Sequence, residues 1–401
     1  MPWIHINASV AGKYRPCCNS DADFGERDTT RNVDDAFTDI ELTEVRRSMV
    51  NGERHEACRV CWNRESAGVE SHRETYTTKK FKRFVDPEAL PKLQYLDMRF
   101  DNTCNLECRM CDPASSNKLQ NTIDWYLDND KPLPEHWKIF HQSQSPNVIK
   151  ALAIRRRDYT INELRNLRIL KVTGGEPFMS NEFNAVLDAA IKSGDSKHIA
   201  LNITTNGTKF TNKILDKLTH FESINFNISV DGIGDTYDYI RYPFKWNKWV
   251  ERFENLLQWL DGNELYKQPG FAIRTSALIS AYNWLNAPEL YSHLVKYTDK
   301  YPWTKDIYFD FNLNLRPDDS ELSAKWLPAH ILDEGLRRWQ ETDYNQVKEI
   351  AAYVENSKSL DPDTRKLKND QLMYMTVTLD YQRRQCFSSL DPMLVEWMNN
   401  G

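Results

Sequence analysis

The sequence predicts an α/β fold built from parallel βαβ units, and three observations support this class. Over the middle of the chain, short apolar segments with strand character alternate with helical segments. Short motifs of glycine and polar residues directly follow several of these strands. The chain has 401 residues, of which 40% are hydrophobic and 12% aromatic, so it can bury a large core in about two or three domains.

Six segments are predicted as strands, and the segments between and around them mostly as helices. The predicted strands are residues 93–100, 168–173, 198–205, 223–230, 271–280 and 306–313. The predicted helices are residues 115–129, 181–194, 211–221, 246–260 and 288–298. Residues 129–150 carry three prolines and many polar residues and are predicted to form a loop insertion, whereas residues 331–401 are predicted to be helices rich in charge.

The composition disfavours several classes of protein. The 52 Lys and Arg residues against 58 Asp and Glu residues give a net charge of −6, which disfavours a nucleic-acid partner. The apolar runs are too short to span a membrane, so no membrane partner is expected. The first residues, MPWIHINAS, lack the basic region and the apolar core of a secretory signal. We therefore expect a cytoplasmic enzyme or binding protein.

The eight cysteines are concentrated near the start of the chain, which favours metal ligands over disulfides in a chain without a secretory signal. Cys104, Cys108 and Cys111 form a CxxxCxxC motif, which this composition would produce by chance about 0.003 times. A tetrahedral zinc site normally takes four ligands, and no fourth Cys or His follows closely. Three thiolates instead suit three irons of a four-iron cluster and leave the fourth iron open to a ligand.

Two motifs that follow the first two predicted strands of the alternating region resemble those of the radical S-adenosylmethionine (SAM) superfamily. They are the CxxxCxxC motif and the segment Gly174-Gly175-Glu176-Pro177. The later segments TTNG, SVDG and YIR stand in the expected order, so that the resemblance covers roughly residues 90–330. It implies a partial (β/α)6 barrel, similar to a TIM barrel, with its site at the carboxyl ends of the strands.

The resemblance also implies a cofactor set. Cys104, Cys108 and Cys111 would hold a [4Fe–4S] cluster whose open iron binds SAM. An electron donor such as flavodoxin or ferredoxin would supply the electron that cleaves SAM to methionine and a 5′-deoxyadenosyl radical. Gly174, Gly175, Glu176 and Pro177 would bind the methionine amino group, because glycines allow close approach of the backbone and a carboxylate can accept from an ammonium.

Four further residues are expected at the cofactor. Ser229 would contact the ribose or carboxylate of SAM, and Arg241 would pair with the carboxylate, although each could be an ordinary surface group. Asn206 closes the third predicted strand of this region, but Asn206-Gly207 is also an ordinary turn pair. Met110 stands where the family often has an aromatic residue, and it would give the cluster or the adenine an apolar cover.

A second group of cysteines, Cys17, Cys18, Cys58 and Cys61, resembles half of an auxiliary-cluster module called SPASM or twitch, placed here before the barrel. The resemblance implies an auxiliary [4Fe–4S] cluster. The Cys that precedes the Gly of that module is absent, so the fourth ligand could be Cys18, Cys386, a substrate or water. A zinc site with four thiolates remains the alternative.

Three domains are expected: an auxiliary-cluster domain (1–75) without a barrel strand, the partial barrel (76–330) and a helical extension (331–401). The expected function is hydrogen abstraction from a peptide or protein, leading to its modification or oxidation. Dehydrogenation or rearrangement of a small molecule or nucleotide is an alternative. A different class of protein, a non-catalytic iron–sulfur or zinc protein acting as a redox sensor or scaffold, is a further alternative.

Overall fold

The computed structural model describes residues 1–20, 32–66, 71–75, 90–141, 145–306, 308–312 and 320–400. The chain divides into two compact units. The first unit comprises Met1–Thr103, Ser143–Thr204 and Thr211–Asn225. The second unit comprises Cys104–Gln142, Thr205–Phe210 and Phe226–Gly401.

The first unit is built on five strands in the order β2-β1-β3-β4-β5. They are β1 (His5–Ala8), β2 (Tyr14–Arg15), β3 (Tyr95–Met98), β4 (Ile169–Val172) and β5 (Ala200–Thr205). All neighbours are parallel except β2, which runs antiparallel to β1. The register aligns one polar residue of each parallel strand in a single row: Asn7, Asp97, Lys171 and Asn202.

Strand β1 corrects one prediction from the sequence. Residues 1–75 were expected to add no strand to the sheet, yet β1 pairs in parallel with β3 and all four of its residues are buried. The segment is short, and its alternate residues His5 and Asn7 are polar, so it lacks the apolar run that usually marks a buried parallel strand. Lys171 of the same sheet face donates to Asp97 at 2.9 Å, so polar residues on this face have polar partners.

The helices of the first unit surround these strands. They are α1 (Val33–Phe37), α2 (Ile40–Val50), α3 (Arg59–Ser66), α4 (His72–Thr75), α7 (Pro146–Glu163), α8 (Asn181–Ser193) and α9 (Asn212–Leu218). Helix α8 shows why the sequence sets these bounds. The Ser180 hydroxyl accepts from the amide of Phe183 at 3.2 Å at its start, and Gly194 ends it in the left-handed region with φ of 80°.

The second unit contains the remaining strands, which neighbour one another in chain order. They are β6 (Ser223–Ser229, of which Phe226–Ser229 belong to this unit), β7 (Ala272–Leu278) and β8 (Tyr308–Asn312). Its helices are α5 (Leu119–Asp128), α6 (Glu135–His141), α10 (Gly234–Ile240), α11 (Trp246–Gly262), α12 (Ala287–Val295), α13 (Tyr297–Lys300), α14 (Ala329–Gln340), α15 (Val347–Lys358), α16 (Pro362–Arg383) and α17 (Pro392–Asn400). No helix in the described residues has both the length and the apolar composition that crossing a membrane requires.

The α/β class is confirmed. All six predicted strands are present as β3 to β8, and residues 331–400 are mainly helical. Among the described strands, β2 ends the strand order in the first unit and β8 ends it in the second unit, as expected for a partial barrel. The loop insertion predicted for residues 129–150 is wrong, because α6 lies within it and α7 begins at Pro146. Proline is favoured in the first turn of a helix, so the prolines here mark helix starts.

Candidate functional site

The three cysteines of the CxxxCxxC motif lie in one loop of the second unit, residues 104–111, called the cysteine loop below. Its backbone is fixed along its length. The amide of Glu107 donates to the carbonyl of Tyr242 at 2.7 Å, and the amide of Arg109 donates to the carbonyl of Ile240 at 3.0 Å. The amide of Cys104 donates to Asn117 Oδ1 at 3.1 Å. The loop therefore presents its cysteines from a defined backbone.

The thiols of the cysteine loop share an apolar environment. Cys104 and Cys108 are buried with Leu106, and Cys111 and Phe244 pack against them. Burial raises the pKa of Cys108 to about 12, and the nearby Cys104 thiol adds to the rise while Arg241 opposes it. In the described residues, no three His, Cys, Asp or Glu side chains are close enough to hold a single metal ion.

Donors to sulfur are also present, and they suit a thiolate that binds iron. The amide of Leu106 donates to Cys104 Sγ at 3.5 Å, and the Asn206 side-chain amide donates to the same sulfur at 3.8 Å. Asn206 Nδ2 also donates to Asn105 Oδ1 at 3.1 Å, and its Oδ1 accepts from the Thr208 hydroxyl at 2.7 Å. The structure thus places Asn206 beside Cys104. Three thiols on one loop, two of them buried and Cys111 partly buried, with donors to sulfur, fit a [4Fe–4S] cluster.

The GGEP segment lies in the first unit, directly after β4. A Cβ atom on Gly175 would stand 2.1 Å from the carbonyl oxygen of Thr103, so only glycine fits there. Gly174 has φ of 107°, also a glycine conformation. The amide of Glu176 donates to that same Thr103 oxygen at 2.7 Å. The segment is therefore packed on the residue that precedes Cys104 in the chain.

Glu176 and Pro177 are both buried, and the Glu176 carboxylate accepts from the amide of Phe178 at 3.2 Å. Glu176 therefore caps the turn that begins at Pro177. This contact was not foreseen from the sequence, which indicated only a role toward an ammonium group. That role stays a prediction.

Arg241 and Ser229 both lie in the second unit. Arg241 is buried and pairs with Asp231, whose Oδ2 accepts from its Nε at 2.5 Å. Burial lowers the pKa of Arg241, but the Asp231 carboxylate more than offsets this, and the net shift is upward. Ser229 is half-buried at the end of β6, and Met110 is half-buried between Arg109 and Cys111.

Asp231 is a candidate site residue that was not predicted from the sequence. It stands in the SVDG segment, two residues after Ser229, and a carboxylate directly beyond a strand end was a usable signal. Its other oxygen accepts from the amide of Leu278 at 2.9 Å, and Asn283 donates to its carbonyl at 2.8 Å. Asp231 is therefore held at three points.

The N-terminal cysteines lie in the first unit. Cys17 and Cys18 follow β2, whereas Cys58 and Cys61 lie at the start of α3. Burial raises the pKa of Cys17 to about 12, and the neighbouring Cys18, Cys61 and Cys58 thiols add to the rise. The structure thus brings Cys17 close enough to both CxxC thiols for their charges to interact. His5 Nδ1 anchors this region by donating to the carbonyl of Pro16 at 2.8 Å.

Cys386 belongs to the second unit and is exposed. Its sulfur accepts from the Ser388 hydroxyl at 3.0 Å. Its assignment as an auxiliary-cluster ligand stays a prediction, as does that of Cys18, whose thiol donates to its neighbour Asn19 at 3.8 Å.

The geometry described so far agrees with a comparison against protein families. Residues 98–261, less than half of the chain, match the model of the Radical SAM superfamily. A match to this superfamily implies a [4Fe–4S] cluster and SAM as cofactors. A comparison with curated proteins gives no match.

The solved structures to which the chain is similar include native anSMEcpe with bound AdoMet, at 14% identity and a TM-score of 0.37. That similarity covers 64% of this chain and 62% of the other. SuiB of Streptococcus suis bound to its precursor peptide SuiA is similar at 12% identity and a TM-score of 0.35, over 75% of this chain and 60% of SuiB. The chain thus covers less than two thirds of the length of either structure.

Proposed function

We propose that this protein is a radical SAM enzyme whose cluster is held by Cys104, Cys108 and Cys111. The cysteine loop carries the proposal, because it gathers three thiols in an apolar environment within the residues that match the Radical SAM model. When bound and reduced by an electron donor such as flavodoxin or ferredoxin, the cluster supplies the electron that cleaves SAM to methionine and a 5′-deoxyadenosyl radical.

The chain's own residues bind and orient these groups. The Leu106 amide and Asn206 stabilise the Cys104 thiolate through N–H···S contacts. Glu176 accepts from the methionine ammonium of SAM while it caps its turn. Arg241, oriented by Asp231, donates to the methionine carboxylate. Ser229 would give SAM a polar contact, and Met110 would give the cluster or the adenine an apolar cover.

The proposed substrate is a peptide or protein. The reason is the N-terminal cysteine group, since enzymes with modules similar to it often modify peptides or proteins. Bound SAM would supply the radical that abstracts hydrogen from a substrate C–H bond. For a net oxidation, Cys17, Cys58 and Cys61 would hold the auxiliary cluster that accepts the second electron, and the proton would pass to solvent.

The test of the radical SAM activity is anaerobic reconstitution followed by reduction in the presence of SAM. We expect 5′-deoxyadenosine from the wild-type chain and none from the Cys104→Ala/Cys108→Ala/Cys111→Ala variant. The Asn212→Ala variant is the matched control, because Asn212 is exposed, lies outside the loop and is assigned no role in cofactor binding. A reconstituted wild-type protein that cleaves no SAM with several reductants would instead indicate the non-catalytic iron–sulfur protein.

The auxiliary cluster has its own test. Iron is counted in the variant that lacks the three loop cysteines, where about four irons per chain would remain if a second four-iron cluster is present. Single alanine substitutions at Cys17, Cys18, Cys58, Cys61 and Cys386 then identify its ligands. If iron is absent and one zinc per chain is bound, this group is a zinc site, and the case for an oxidising peptide-modifying enzyme loses its main support.

A further inference from the structure

The two residues that flank Cys108 are both paired with the last turn of helix α16. Arg109, which is completely buried, pairs with Asp380. On the other side of Cys108, Glu107 Oε2 lies 3.8 Å from Arg383 Nη2. Asp380 and Arg383 are three residues apart on a helix and so share a face. One turn of α16 therefore contacts the residues on both sides of Cys108. Its acid Asp380 pairs with Arg109, and its base Arg383 pairs with Glu107.

The Arg109–Asp380 half of this arrangement is fully supported by other contacts. Arg109 Nε donates to the carbonyl of Tyr239 at 3.1 Å, and its guanidinium lies 3.6 Å from the centre of the Tyr239 ring. Its Nη2 also donates to Gln385 at 3.1 Å. The second Asp380 oxygen accepts from the amide of Phe387 at 2.7 Å. Arg109 is thus fixed between the chain at Tyr239 and the end of α16.

Arg383 differs from Arg109, because its ion pair with Glu107, at 3.8 Å, is too long for a hydrogen bond. Its side chain is 1% exposed. Within the described part of the chain, its Nε, Nη1 and Nη2 atoms make no hydrogen bond. Burial lowers its pKa to about 10, so it is still a cation at neutral pH. A buried guanidinium with unused donors is costly unless a bound group supplies acceptors.

Arg383 lies beside the cysteine loop, because its Nη2 is 3.8 Å from Oε2 of Glu107, the residue directly before Cys108. Iron–sulfur clusters with cysteine ligands are anionic and gain negative charge on reduction, and hydrogen bonds to their sulfurs set their potentials. A cation at this place therefore stabilises the reduced cluster more than the oxidised one.

We propose that Arg383 and Asp380 are positioning residues of the cluster site: Asp380 fixes the cysteine loop through Arg109, and Arg383 donates to cluster sulfur and raises the cluster potential. This rests on the proposed function, since it needs a cluster at Cys104, Cys108 and Cys111. Under this proposal, helix α16 contributes to the site at which SAM is cleaved.

The potential of the cluster tests the role of Arg383. The EPR signal that changes on addition of SAM identifies this cluster, and a potentiometric titration follows it in Arg383→Gln, Arg383→Lys and Arg384→Gln. We expect a more negative midpoint for Arg383→Gln and a midpoint nearer to wild type for Arg383→Lys, which keeps the charge. Arg384→Gln is the matched control, because Arg384 is the adjacent residue and is exposed. A wild-type midpoint in Arg383→Gln, or equal shifts in the Gln and Lys variants, would overturn the proposal.

The rate of iron release to a chelator tests the role of Asp380. It also serves as the test of the whole proposal if Arg383→Gln does not fold. We expect faster release from Asp380→Asn than from wild type, with unchanged release from Asp363→Asn, an exposed position on the same helix. A wild-type rate in Asp380→Asn would refute the proposal. If the wild-type chain takes up no iron that depends on the loop cysteines, the proposed function itself fails. If the wild-type protein cleaves SAM, but the Arg383 variants keep the wild-type midpoint and Asp380→Asn keeps the wild-type rate of iron release, this inference is refuted and the proposed function stands.

Discussion

Replacing Gly175 by alanine tests the packing of the GGEP segment. The added Cβ would lie 2.1 Å from the Thr103 oxygen and 2.6 Å from its carbonyl carbon, both backbone atoms that cannot rotate away. The backbone has to move by about 1 Å to reach normal contact distances. Overpacking of this kind costs about 1–3 kcal/mol, and loss of the Glu176–Thr103 hydrogen bond adds about 1 kcal/mol. We therefore expect a loss of about 2–4 kcal/mol in the free energy of unfolding of the first unit.

Thermal unfolding followed by circular dichroism is the assay for this prediction. For a unit of about 150–250 residues, each kcal/mol lowers the midpoint by about 2–4 °C, so the Gly175→Ala midpoint should fall by roughly 10 °C. Gly262→Ala is the matched control, because a Cβ there meets nothing within 4 Å. Equal midpoints for the two variants would show that the Thr103 contact does not constrain the segment.

Three further predictions concern other residues. Burial lowers the pKa of His5 to about 4. The folded protein therefore favours neutral His5, and the stability that this gives is present above pH 6.5 and is lost as the pH falls toward 4, by about 3 kcal/mol in all. Between pH 7.5 and pH 5, urea unfolding should show a smaller loss of free energy of unfolding for His5→Gln than for wild type. Arg156 is buried and donates to the carbonyls of Arg99 at 2.9 Å and Phe100 at 3.1 Å, so Arg156→Met should cost at least about 3 kcal/mol in urea unfolding, while the exposed neighbour Arg155→Met should cost under about 0.5 kcal/mol. Asn206→Ala removes a donor to Cys104 sulfur, so the cluster midpoint should become more negative in a potentiometric titration, with exposed Asn212→Ala unchanged; a wild-type midpoint would show that this contact does not reach the cluster.

The sequence was sufficient for the central strands and insufficient for β1. A strand such as β6 can be predicted because apolar and polar residues alternate along it. Ile224, Phe226 and Ile228 are buried on one face, whereas Asn225 and Asn227 between them are only partly buried. Strand β1 has four residues, and its polar members His5 and Asn7 fit only because the register sets them beside residues of β3. That compensation depends on the partner strand, which a single segment of sequence does not contain.

In the candidate site, too, some features could be predicted from the sequence and others could not. The CxxxCxxC and GGEP motifs are local, so spacing alone identified the loop cysteines and the constrained glycines. The ties that hold the cysteine loop are long-range in sequence, as in the pairing of Arg109 with Asp380. Nothing near Asp380 in the chain indicates this partner, because the two residues meet only through the fold. Candidate ligands could thus be proposed from local spacing, whereas the residues that position the loop could not.

The Arg241–Asp231 pair changes how an anion would be bound at this place. From the sequence alone, Arg241 is a single positive charge, whereas in the structure the Asp231 carboxylate neutralises it. Binding a second carboxylate would then gain little from net charge and would depend on the remaining donors of a guanidinium whose orientation Asp231 fixes. Asp231 is itself held by Leu278 and Asn283. The Arg241 guanidinium is therefore fixed in orientation before an anion binds, and it would select an anion by the direction of its hydrogen bonds. Lysine, a point charge without a planar fork, would therefore not replace Arg241.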